Sequence, residues 1–148
     1  MADNEILDSL APCGLNCKKC LANTEGAIKD HSIALKNLLG SFDRYAERFS
    51  AFMPAFKNYP QFKELLDFLT QGNCNGCRKG DSKYPTCGVA KCYQEKGVDF
   101  CFQCSEYPCD KTNFDPELKQ RWLQMNNRMR EIGIAAYFEE SKDLPRYI

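Results

Sequence analysis

Apolar side chains recur at helical spacing along most of the chain. Ile28, Leu35, Leu38, Leu39 and Phe42 fall on one face at a period of about 3.6 residues, which predicts a helix from Gly26 or Ala27. Gly40 is its stop and Ser41 a cap for the next helix. That second helix gathers Phe42, Tyr45, Ala46, Phe49, Phe52 and Met53 on one side, and Pro54 ends or kinks it. Pro60 suits the first position of a third helix with Phe62, Leu65, Leu66 and Leu69 as its buried stripe and Gly72 as its close. Further on, a short helix is expected from Gly88 to Lys96, ended by Gly97. Asp115-Pro116-Glu117 is a strong helix start, and Leu118, Trp122, Met125, Met129 and Ile132 continue it to Gly133. A last short helix covers Ile134 to Glu140. The aromatic and methionine stripes read as core. Strand signals are weak, so at most short β-hairpins are expected. The predicted fold class is mainly α: one small domain, residues 1–148, of amphipathic helices with an irregular cysteine-rich region that binds metal.

Composition sharpens this picture. A chain of 148 residues buries roughly 68–70% of its unfolded surface, enough for a true core. Lys plus Arg equals Asp plus Glu at 20 each, so the basic excess of a nucleic-acid binder is absent. No apolar run approaches the ~20 residues of a membrane span. The opening Met1-Ala2-Asp3-Asn4-Glu5 is acidic and unlike a secretory signal, so the expected compartment is the reducing cytoplasm. There, ten cysteines point to metal ligation or redox chemistry rather than to disulfides.

The cysteines form three groups: Cys13, Cys17 and Cys20; Cys74, Cys77, Cys87 and Cys92; Cys101, Cys104 and Cys109. In a C-x2-C pair, a tight turn lets two thiolates reach one ion while turn N–H groups point at the sulfurs. Gly76 before Cys77 suits such a turn because glycine tolerates positive φ. Zinc takes four such ligands at about 2.3 Å. All ten cysteines are therefore candidate ligands, for about two zinc ions by this reading. Two divisions are open. Cys74, Cys77, Cys87 and Cys92 can make one site and leave six for a second site or a shared two-metal cluster. Alternatively, Cys74 and Cys77 can join Cys101 and Cys104.

Other chemistries were weighed against zinc. An iron–sulfur redox or electron-transfer protein with a [4Fe–4S] cluster is the main alternative, since thiolates suit both. The ferredoxin run C-x2-C-x2-C-x3-C-P is absent. Cys13-x3-Cys17-x2-Cys20 matches the cluster motif of radical S-adenosylmethionine enzymes, but Lys19 stands where those enzymes place an aromatic residue, and helices follow in place of their barrel. A hydrolytic zinc site usually mixes in other ligands, and the single histidine, His31, reads as a partly exposed helix residue. A thiol enzyme would need one cysteine set apart, and nothing marks one.

Pro12-Cys13-Gly14-Leu15-Asn16-Cys17-Lys18-Lys19-Cys20, Cys74-Asn75-Gly76-Cys77 and Cys101-Phe102-Gln103-Cys104-Ser105-Glu106-Tyr107-Pro108-Cys109 together resemble a prokaryotic cysteine-rich family catalogued as a domain of unknown function. The resemblance runs from Pro12 into the last helices. It implies metal binding, with zinc as the expected ion, and no established reaction. The functional expectation is a zinc-stabilised interaction or adaptor module without an enzymatic role, its loops presenting Lys18, Lys19, Arg78 and Lys79 to a protein partner.

Overall fold

The computed structural model describes residues 2–148. The fold is mainly helical: α1 (Asn4–Ser9), α2 (Ala27–Leu39), α3 (Asp43–Ser50), α4 (Tyr59–Leu69), α5 (Val89–Lys96), α6 (Pro116–Ile132) and α7 (Ile134–Ser141). Extended pairing among the described residues is confined to two isolated bridges, Leu10 with Asn16 and Gly76 with Asp81. The chain divides into two compact units. One runs to Cys20 and resumes over Cys74–Ile148; the other is the stretch Leu21–Asn73 between them.

The first unit is built around α6. Asp115 caps it by accepting from the Leu118 N–H at 3.0 Å, Pro116 opens it and Gly133 ends it. Trp122, Met125 and Met129 are buried along its inner face. Met129 joins Ile6, Leu10 and Phe100, with Ile134, Tyr137 and Phe138 packed against them. Trp122 joins Ala11, Cys13 and Val89, flanked by Leu15, Tyr107 and Phe114. The pattern reading missed α1, whose six residues are too few for a periodic signal; Asp3 starts it by accepting from the Glu5 N–H.

In the second unit, Lys36 pairs with Asp67 at 2.9 Å and Lys29 Nζ donates to the Gly72 carbonyl at 2.8 Å, so α2 and α4 run antiparallel. Gly72 also packs on the backbone of Ala22 and Asn23, which sets the two ends of the insertion side by side. Phe42 is the centre of an aromatic cluster, with its ring centroid 5.4 Å from Phe49, 5.1 Å from Phe56 and 5.0 Å from Tyr59. Three details depart from expectation. Ser41 makes no cap, because α3 begins at Asp43 after a helical Phe42. Pro54 opens a separate 3-10 turn, Pro54–Asn58, after α3 has already ended. The stripes are only partly covered: Leu66 is buried, while Leu38 (86% exposed), Leu65 (65%) and Phe62 (42%) face outward.

Candidate metal centre

All ten cysteines belong to the first unit. Each of the three groups contains the same local device. A one-turn 3-10 helix starts on a cysteine, at Cys17–Lys19, Cys77–Lys79 and Cys101–Gln103. It closes when the N–H three residues on, of Cys20, Gly80 or Cys104, donates back to the first cysteine's carbonyl, at 3.1 Å each time. Sulfurs beside these turns accept backbone N–H groups: Cys74 from Gly76 within the C-x2-C turn, as expected there, and outside such turns Cys13 from Leu15 and Cys104 from Glu106 at 3.4 Å; the Cys74 thiol also donates to the Asp81 carbonyl at 2.8 Å. Gly76 has φ 98, which a side chain rarely adopts, and a Cβ there would stand 3.8 Å from Cys17 Sγ. The second knuckle thus closes onto the first.

Three side chains lock the loops together. Asn126 is fully buried; its Nδ2 donates to the Cys13 and Trp122 carbonyls at 2.8 and 2.9 Å, and its Oδ1 accepts from the Phe102 N–H at 3.0 Å. It therefore ties the first cysteine group to the third. Arg78 Nε donates to the Leu10 carbonyl at 2.9 Å and Nη2 to the Asp99 carbonyl at 2.7 Å, with its guanidinium 4.9 Å from the Phe100 ring centroid. Lys19 Nζ donates to the Ser141 and Leu144 carbonyls at 2.9 and 2.6 Å. The expectation that Lys19 and Arg78 are held out to a partner is corrected: backbone carbonyls of their own unit engage both. Lys18 and Lys79 are exposed.

The fold divides the thiols between two cavities. Cys92, Cys101, Cys104 and Cys109 line one of about 30 Å3, with Trp122 and Tyr107 in its wall. Cys13, Cys17, Cys20, Cys74, Cys77 and Cys87 line another of about 300 Å3, with Ser82, Arg121, Arg146 and Tyr147. Neither division read from spacing has this form, because Cys92 lies on α5, which begins after Cys87 and carries Cys92 to the third group. His31 is exposed on α2 of the other unit. No disulfide links any of the ten cysteines. Among the described residues, no three Cys, His, Asp or Glu side chains converge closely enough to hold an ion as they stand.

Protonation follows from burial. Desolvation pushes the Cys13 thiol up to about 12 and Cys101 to about 11, and it raises Cys74 and Cys92. Cys17 goes the other way, down to about 6, because the Cys77 thiol donates to its sulfur; for the reciprocal reason Cys77 is raised. A buried thiolate here needs a counter-charge, and a divalent cation supplies one while displacing the protons.

Whether thiolates suit these cavities is tested by two buried donors. Trp122 Nε1 has no hydrogen-bond partner of ordinary geometry, and it lies beside the Cys101 sulfur, whose ionised form it favours. Ser82 Oγ is likewise unpartnered and stands in the same relation to Cys77. A neutral thiol is a weak acceptor and a thiolate a strong one. Each cavity therefore holds a donor that an ionised sulfur would satisfy, and the all-sulfur donor sets fit zinc.

The sequence pattern of the family described as Protein of unknown function (DUF3795) matches residues 9–114. The chain belongs to this family. The DUF3795 match contains all ten cysteines and stops just before α6. No curated protein and no solved structure matches the chain. Among the described residues, no helix is long and apolar enough to cross a membrane.

Proposed function

We propose that this DUF3795 member is a zinc-binding protein whose metal fixes the cysteine loops, and that it serves as an interaction module. The observation that carries the zinc reading is the pair of buried orphan donors, Trp122 Nε1 and Ser82 Oγ, one in each thiol-lined cavity. Cys92, Cys101, Cys104 and Cys109 would hold an ion in the smaller cavity, and the other six thiols would hold metal in the larger. When bound, zinc supplies positive charge to buried thiolates and cross-links segments distant in sequence. The interaction role draws support from large apolar side chains left uncovered on the second unit, among them Phe52, Leu65 and Phe68.

Elemental analysis with a visible spectrum, on protein purified without oxygen, tests the reading. Colourless protein with zinc in stoichiometric amount is expected. Brown protein carrying iron and sulfide would overturn it in favour of an iron–sulfur protein. A metal-dependent protein partner in a pull-down would establish the interaction role; a partner captured equally by the chelated protein would detach that role from the metal.

A further inference from the structure

The two cavities differ in more than position. The smaller offers four thiols around about 30 Å3, the number one tetrahedral zinc requires. The larger offers six around about 300 Å3. One tetrahedral ion would leave two of the six unused. Two tetrahedral ions have eight coordination positions between them; if they share two sulfurs, six thiolates fill all eight.

Nothing in the structure marks two of the six as spare. Cys13 accepts from the Leu15 N–H, Cys17 from the Cys77 N–H and Cys74 from the Gly76 N–H, and the Cys74 thiol donates to the Asp81 carbonyl at 2.8 Å, a proton that metal would displace. Cys77 has the Ser82 hydroxyl beside it, and the Tyr147 hydroxyl donates to Cys20 Sγ at 3.7 Å. Five of the six sulfurs thus have a donor directed at them, the surroundings that outer-shell groups give to metal-bound thiolates. Cys17 sits at the middle of the set. The Cys77 thiol contacts its sulfur, a Gly76 Cβ would lie 3.8 Å from it, and Cys13 and Cys74 are its electrostatic neighbours. Two divalent ions and six thiolates carry a net charge of −2, and Arg121, Arg146 and Lys83 line the same cavity against one carboxylate, Asp81.

We infer that the six-thiol cavity takes two divalent thiophilic ions joined by shared thiolates, so that the full complement is three zinc ions per chain, one in the smaller cavity and two in the larger. The inference rests on the zinc reading above.

Native mass spectrometry of the full chain loaded with zinc counts the ions, and cadmium-113 NMR of the cadmium-loaded chain reports whether any two share sulfur. Three zinc ions, and three cadmium resonances of which two are coupled to each other, are the expected result. Two ions with uncoupled resonances would overturn the inference and leave the zinc reading standing. Three uncoupled resonances would overturn the sharing. No bound zinc would overturn both readings. As a second line, Cys17→Ser is expected to remove two ions together, whereas Cys104→Ser removes one; a loss of a single ion from Cys17→Ser counts against the shared pair. The unmodified chain carries the NMR measurement, so misfolding of a variant does not decide the matter.

Discussion

Residues 21–73 contain no cysteine and fold on helix pairing and ring packing, whereas the rest of the chain contains all ten and is largely loop where they lie. The buried apolar side chains divide unevenly. In the helical unit they are Ala46, Tyr59 and Leu66; the cysteine unit buries Ile6, Leu10, Val89, Phe100, Trp122, Met125 and Met129 among others. The unit with more core is also the one whose turns have least regular structure to hold them. Its polar cross-links at Asn126 and Arg78 and its thiol-lined cavities stand where strands or longer helices would stand in another fold. The helical unit has its own polar links, at Lys36–Asp67 and Lys29–Gly72, but they join helices that already satisfy most of their own backbone, and it leaves apolar side chains uncovered.

Under the zinc reading proposed above, metal removal is expected to separate the two units most sharply. Structural zinc contributes about 10–16 kcal/mol of apparent folding free energy, against a typical net stability of about 5–15 kcal/mol. Chelation is therefore expected to unfold the cysteine unit and to spare much of α2, α3 and α4. The single tryptophan, Trp122, reports on the first, and far-UV circular dichroism retains the signal of the second. Trp122 emission unchanged after complete metal removal would show that the apolar core alone suffices.

The helices were legible because their signals are local. Asp115-Pro116 and Gly133 bracket α6, Gly40 and Gly97 end α2 and α5, and each rests on a conformational preference of one residue. The recurring cysteine turns were legible for the same reason. Which cavity each thiol lines was not, since spacing along the chain says nothing of α5 carrying Cys92 away from Cys87. Asn126 gave no sign either: a polar residue within an apolar stripe looks like a solvent position until its partners, on loops 24 and 113 residues away, are known. The outward Leu38 and Leu65 show the converse, a helical stripe wider than the surface available to cover it.

Asn126 gives the next largest effect. Asn126→Leu keeps the volume and removes three hydrogen bonds, at about 1 kcal/mol each, leaving the Cys13 carbonyl and the Phe102 N–H without their partner. A loss of about 3 kcal/mol is expected in urea unfolding followed by Trp122 emission. A loss below about 0.5 kcal/mol, the range of neutral surface changes, would mean that the loops hold together without it.

In the helical unit, Leu66→Ala deletes one of few covered side chains and is expected to cost about 2 kcal/mol, at the low end for core leucines because so small a core relaxes easily. Leu38→Ala, at a position 86% exposed, is the control and should fall within about 0.5 kcal/mol of the parent. The far-UV transition should shift for Leu66→Ala while the Trp122 transition stays in place. If both shift together, the units unfold as one and the contrast between them is structural only.

The smallest effect concerns pH. Asp67 is held below the usual carboxylate range, first by Lys36 and then by Lys63, at 2.9 and 2.7 Å. Its folded pKa lies below its unfolded value of about 3.9, so the stabilisation is complete above that value and is lost as pH falls through the folded pKa. The three side chains are partly exposed, so their contribution is modest and screened by salt. Between pH 5 and pH 2 the far-UV melting point of the parent should therefore fall further than that of Asp67→Asn, with the gap narrowing in high salt. The Trp122 transition should not distinguish the two proteins, since Asp67 belongs to the helical unit. Equal slopes for parent and variant would assign the acid sensitivity of α2 and α4 to other carboxylates and leave their antiparallel pairing to apolar contact and the Lys29–Gly72 hydrogen bond.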